Sequence, residues 1–204
     1  MKKAISILAA AMMLSCTFVS CGSSKDDDKS EGIVGKWSAN EDTLKGIMED
    51  DEGTALSAVV EFRSDNKMTL TVEGDYSDVI QVKDDSINWA GTKMEYTYDG
   101  KTININAGAL IFERTGDADT STVYGEYRSD TFDSEAGNYL FRFESADRTV
   151  TVYSAEGTYE YNEEEGTLTT SLDDEGDEPS KVEIDGDTLK VTDKEGTETY
   201  TRVK

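Results

Sequence analysis

"YLFRFESADRTVTV", residues 139–152, decides the fold class. Tyr139, Phe141 and Phe143 alternate with Leu140, Arg142 and Glu144, and Val150 and Val152 alternate with threonines. Successive side chains of a strand point to opposite faces, so this period of two describes half-buried strands. The pattern extends outward in both directions. Downstream, Tyr159 and Tyr161 alternate with Thr158 and Glu160, and Leu189 and Val191 with Thr188 and Lys190. Upstream, Met68, Leu70 and Val72 behave likewise, as do Met94, Tyr96 and Tyr98. Turn-forming pairs and triplets punctuate these runs: Ser64-Asp65-Asn66, Asp99-Gly100, Glu165-Gly166, Asp185-Gly186 and Glu195-Gly196. Short, evenly spaced strands with such turns predict an all-β chain of antiparallel meanders, in a barrel or a sandwich. One helix is expected over Asp42–Asp51, where Leu44, Ile47 and Met48 share a face.

The chain also repeats itself. "VGKWS" (34–38) is echoed by "YGEYRS" (124–129), and "FRSDNKMTLTV" (62–72) by "FESADRTVTV" (143–152). "DGKTINI" (99–105) is echoed by "DGDTLKV" (185–191), and "FER" (112–114) by "YTR" (200–202). Four echoes in one order, offset by roughly 80 to 90 residues, describe a duplication. The polar, small-residue segment 116–122, "GDADTST", is the connector. One small barrel is expected in each repeat, over 32–115 and 123–204, with about eight strands apiece.

Gly35-Lys36-Trp37 on a first strand, with Phe112-Glu113-Arg114 on a last one, resembles the signature of lipocalin-like barrels. The resemblance implies a Trp at the closed end of an up-and-down barrel, with an Arg from the last strand packed over the indole. The second repeat carries an altered version, Gly125-Glu126-Tyr127 with Arg202. Gly35, Trp37, Arg114, Gly125, Tyr127 and Arg202 are thus the expected barrel-closing residues. Closure requires the Trp37 strand to bond the Phe112 strand, whereas paired sandwiches do not. An eight-stranded barrel is just wide enough to be filled by side chains or to hold one small ligand. The large apolar alternates available here favour filling.

The N-terminus carries a different signal. Met1-Lys2-Lys3 precedes a run from Ala4 to Leu14 in which only Ser6 is polar. A basic start and a short apolar run describe a secretory signal peptide, since a membrane span needs about 20 apolar residues. Phe18-Val19-Ser20-Cys21 then resembles the lipobox of bacterial lipoproteins, although Phe18 stands where that pattern prefers Leu. The resemblance implies a signal peptide over 1–20, removed to leave Cys21 as the first residue, with diacylglycerol on its sulfur. Cys16, behind Met13-Leu14-Ser15, is the alternative, with bulky Leu14 the poorer fit. Residues 21–31 form the lipidated cysteine and its tether; ten extended residues reach at most ~36 Å, enough to lift a small domain off the headgroups. The expected location is the cell membrane of a bacterium, lipid-anchored and facing the extracytoplasmic side.

Composition excludes several functions. Of 204 residues, 44 are acidic and 20 basic, for a formal charge of −24. Such a chain repels nucleic acid and anionic headgroups, so no nucleic-acid partner is expected and only the lipid should hold it at the membrane. There is no histidine, which removes His-dependent triads and the common zinc sites. Beyond Cys21 there is no cysteine, so no disulfide can form in the mature chain. The acidic runs Asp26–Asp28, Glu49–Glu52, Glu163–Glu165 and Asp173–Glu178 lack the spaced ligand pattern of a calcium loop and read as solvated tips. No metal, cofactor or catalytic residue is expected. Trp89, beside small residues in "SINWAGTK", is expected at a strand end as a rim or core group. The expected function is a non-catalytic envelope lipoprotein that binds a protein or small-molecule partner at the cell surface. The alternative is a lipocalin-like carrier of a small apolar or amphipathic ligand.

Overall fold

The alternating stretches fold into strands, and the polar clusters between them into turns. The computed structural model describes residues 32–47, 53–116, 119–132, 137–172 and 178–204. In chain order the first elements are β1 (Gly35–Ala39), α1 (Glu41–Ile47), β2 (Thr54–Phe62), β3 (Lys67–Asp75), β4 (Ile80–Lys83), β5 (Ser86–Trp89), β6 (Thr92–Tyr98), β7 (Thr102–Ile105) and β8 (Leu110–Arg114). The second repeat supplies β9 (Gly125–Arg128), β10 (Asn138–Ser145), β11 (Arg148–Asn162), β12 (Thr167–Ser171), β13 (Ser180–Asp185), β14 (Thr188–Thr192) and β15 (Thr197–Arg202). Asp99 shows how the turns are made. Its carboxylate accepts the backbone N–H groups of Lys101 (2.9 Å) and Thr102 (2.7 Å), closing the β6–β7 turn while Gly100 takes a φ of 94°. The helix begins where Asn40 Oδ1 accepts the Thr43 N–H at 2.8 Å, an N-cap. Glu41 and Asp42 in its first turn and Lys45 in its last complement the helix dipole. The remainder of the expected helix, residues 48–51, lies outside the described residues.

The strand order is β12-β13-β14-β15-β1-β2-β3-β11-β10-β9-β8-β7-β6-β5-β4, with β12 also paired to β11. That extra pairing closes a ring. β1, β2, β3, the second half of β11 and β12 to β15 form an eight-stranded antiparallel barrel. The first half of β11, with β4 to β10, forms a curled sheet around a second core. The two ends of this curl meet at Thr149. Tyr76 N donates to Thr149 O (2.9 Å), and Thr149 Oγ1 donates to Ile80 O (2.8 Å).

The expected division into one barrel per repeat, 32–115 and 123–204 about a connector at 116–122, is not how the strands pair. The closed barrel takes β1 to β3 from the first repeat and everything from mid-β11 onward from the second. The curled sheet takes β4 to β8 from the first and β9 to early β11 from the second. β1 bonds β15, with Trp37 opposite Arg202, and β8 bonds β9, with Arg114 opposite Tyr127; β1 and β8 are not partners. The cause is visible in β11. Tyr153 to Gly157, where a hairpin would have to turn back, instead lie opposite Val72 to Met68 of β3. The chain therefore runs straight from one sheet into the other. In the first repeat the corresponding crossing is the bend Tyr76–Val79, closed by Val79 N and Ile80 N donating to Tyr76 O (2.9 and 2.8 Å). This also explains the strand tally among the described residues, eight in the first repeat and seven in the second, because β11 fills two positions.

Each core draws on both repeats. In the barrel, Trp37, Phe62 and Met68 meet Leu168, Leu189 and Tyr200, all buried. Phe62 and Tyr159 meet edge to face with ring centroids 4.9 Å apart. In the curled sheet, Ile87, Ile103 and Phe112 meet Tyr127, Phe141 and Phe143. Fully burying such a side chain stabilises the fold by about 1.5–3 kcal/mol. The strict alternation expected around Val150 breaks down: Thr149 and Thr151 are buried along with Val150, while Val152 is half-buried. Here β11 passes between the two sheets, with β3 on one edge and β10 on the other.

Candidate functional site

The six expected barrel-closing residues come together as two clusters, with their partners exchanged between repeats. In the first, the Arg202 guanidinium carbon lies 4.0 Å from the centre of the Trp37 ring. Arg202 donates to Gly32 O (2.7 Å) and Val34 O (2.9 Å), while Trp37 Nε1 donates to Ile33 O (2.7 Å). In the second, Arg114 lies 5.0 Å from the centre of the Tyr127 ring and donates to Tyr127 Oη, Tyr98 Oη and Thr122 O. Tyr127 Oη donates to Val123 O (2.8 Å), four residues back, as Trp37 does. Gly35 and Gly125 take φ values of 135° and 155°, which favour glycine, and a Cβ at either would press on the end of the Arg laid across it. The expectation of Arg114 over Trp37 and Arg202 over Tyr127 is corrected by this exchange. Both clusters are packing devices: each lays a guanidinium over an aromatic ring, Arg202 bonding two carbonyls through both terminal nitrogens and Arg114 bonding through Nη2 alone, its Nε and Nη1 buried without a partner. Cys21 lies outside the described residues.

Open space lies near the other end of β15. A cleft of 620 Å³ separates α1 from the β14–β15 turn, lined by Asn40, Asp42, Thr43, Asp193, Glu195 and Glu198 among others. Asn40 N donates to Thr199 O (2.9 Å), Thr199 N to Thr43 Oγ1 (2.9 Å) and Thr43 Oγ1 to Thr199 O (3.2 Å), which ties the helix to β15. Ile47 and Thr43 are buried beneath the helix, and Leu44 packs on the barrel core. Glu198 lies opposite Val191, one alternate position from the Tyr200–Leu189 pair of the core. Its carboxylate is largely withdrawn from water, although the residue keeps some surface in the cleft. Tyr200 Oη donates to Glu198 Oε2 at 2.6 Å. Burial pushes the Glu198 carboxyl up to about 7, with Asp193 and Glu195 adding to the rise and the Tyr200 hydrogen bond opposing it. Burial likewise holds the Tyr200 hydroxyl well above its ordinary value. A carboxyl group near half-ionisation at neutral pH can donate a hydrogen bond or accept one, on a rim dominated by acids.

Glu198 was not singled out in the sequence, yet a signal existed. Glu198, Tyr200 and Arg202 occupy alternate positions, with Tyr200 buried in the barrel core and Arg202 over the Trp37 ring, so an acid shares the inward side of the strand. Asp26–Asp28, Glu49–Glu52 and residues 173–177 lie outside the described residues. Glu163–Glu165 form an exposed turn in which Asn162 Oδ1 accepts the N–H groups of Glu164 and Glu165. Among the described residues no three metal-ligating side chains converge. Trp89 ends β5 at a tight turn and stacks on Phe132, with centroids 5.4 Å apart and planes 6° from parallel. Phe112 and Phe141 extend that ring cluster into the core. Comparison with protein-family models, curated proteins and solved structures returned no match.

Proposed function

We propose that this protein is a non-catalytic cell-envelope lipoprotein, anchored by lipid on Cys21, that binds a partner at the cell surface through the α1 end of its barrel. One observation supports this reading. The interior side chains of the barrel contact one another, whereas the 620 Å³ cleft is at its end, between α1 and the β14–β15 turn. A partner would then be met by the polar rim of Asp42, Asp193 and Glu195, with Glu198 at the floor. The acidic rim favours basic or hydrogen-bond-donating groups.

The anchor and the face are tested together in the producing cells. A photo-crosslinking residue at Asp42 or Glu195 is expected to trap a discrete adduct, and the same residue at Lys83 on the curled sheet is not. Adducts from Lys83 alone would move the binding face. Palmitate labelling is expected to vanish in Cys21→Ser and persist in Cys16→Ser; the reverse pattern would move the anchor. A small-molecule adduct of the barrel in native mass spectrometry would favour the carrier reading.

A further inference from the structure

We infer that each repeat is an obligate strand-exchange module whose partner is another repeat of its own kind, and that this chain is such a pair joined in one polypeptide. The exchange follows a single plan on both sides. The strand carrying Trp37 is closed by the other repeat's Arg202, and the strand carrying Tyr127 by the other repeat's Arg114. Between these two closures β3 and β11 pair over nine consecutive positions, from Lys67–Thr158 to Asp75–Val150. The long antiparallel ribbon formed where two chains trade elements is the mark of domain swapping between protomers. Here it is formed by two halves of one chain.

Separation of the halves would be unfavourable on three counts. Trp37 would lose the guanidinium above it, and Phe62 would lose Tyr159, whose hydroxyl also bonds Arg63 O at 2.7 Å. Phe112 would lose Phe141 and Phe143, with centroids 5.1 and 5.8 Å away. The edges of β1, β3 and β8 would stand unpaired, as templates for another strand. What fits those edges is a segment with the same alternation, the same Gly-x-aromatic opening and the same aromatic-x-Arg ending, which is to say another repeat. The connector after β8 keeps that partner at an effective concentration of about millimolar or above, so the exchange closes within the chain.

The test uses the full mature chain with a specific protease site inserted after Gly116, cut once folded; a denaturing gel reports the cut. The expected product is a single particle with the mass of both fragments in native mass spectrometry. Its melting temperature, independent of protein concentration before the cut, should fall on dilution afterwards, as for any obligate dimer. Two particles of one fragment each, or fragments that melt at concentration-independent temperatures, would overturn the inference. Particles holding two copies of one fragment would support it. Should the insertion prevent folding, a cysteine pair in the uninterrupted chain decides. Ser38→Cys with Thr201→Cys, opposite each other in the β1–β15 ladder, should form a disulfide on oxidation. If Ser38→Cys instead oxidises with Glu113→Cys, each repeat closes on itself and the inference fails.

Discussion

Glu198 is the residue at which solution conditions reach the fold. Burial raises its carboxyl to about 7, above the ordinary carboxylate value, so the folded state holds a proton that the unfolded chain releases. A folded-state pKa above the unfolded one means that stability falls as pH rises through the interval between them. The melting temperature is therefore expected to decline between about pH 4.5 and 7 and then level off. Glu198→Gln keeps a hydrogen-bonding group beside Tyr200 without the charge. It should flatten that decline and raise stability at pH 8 by about 1–3 kcal/mol, read from urea unfolding at both ends of the range. A variant with the same pH slope as the parent would assign the slope to other carboxylates. At this scale the sequence was partly legible. The resemblance to lipocalin-like barrels pointed to Gly35, Trp37, Gly125, Tyr127, Arg114 and Arg202 as closing residues. Their pairing was not legible, because a motif names which side chain seals a ring and says nothing of which copy supplies it.

Among the elements, β11 governs the architecture. It is 15 residues long, and each half belongs to a different sheet. Gly157 lies in its second half, where a Cβ would run into the backbone carbonyl of Ser171 at the end of β12. Backbone cannot step aside as a flexible side chain can, so Gly157→Ala should cost about 1–3 kcal/mol in urea unfolding. Gly186→Ala has no neighbour near the added carbon, though its φ of 56° strains an alanine, so it separates backbone strain from the clash. A smaller loss at Gly157 than at Gly186 would mean that β12 can shift. Most strands were legible from period-two alternation and turn residues, and the start of α1 from its apolar face. The continuity of β11 was not. Alternation reports which face of a strand is buried, and Tyr153 to Gly157 look the same whether they bend back or carry on.

On the scale of the molecule, the exchange predicts cooperativity. Both cores contain side chains from both repeats, and β3 and β11 belong to the wall between them. Calorimetry should therefore show one unfolding transition, and Phe62→Ala in the barrel should lower it together with the signal from Trp89 in the curled sheet. Truncating a buried Phe removes about 3–5 kcal/mol, enough to make the coupling measurable. Two transitions, with Trp89 following only the unaffected one, would show the sheets to be independent.

By itself the sequence determined that the chain is all-β, where most of its turns lie and which of its segments echo one another. These properties reside in spacing, and spacing is fixed by covalent order. Only the tertiary structure decided that β1 closes on β15 and β8 on β9, and that Glu198 lies beneath a cleft beside α1. Two repeats with the same edges can satisfy one another as well as themselves. The choice between those pairings rests on whether a five-residue stretch of β11 turns or runs straight against β3, and that is settled by contacts distant in sequence.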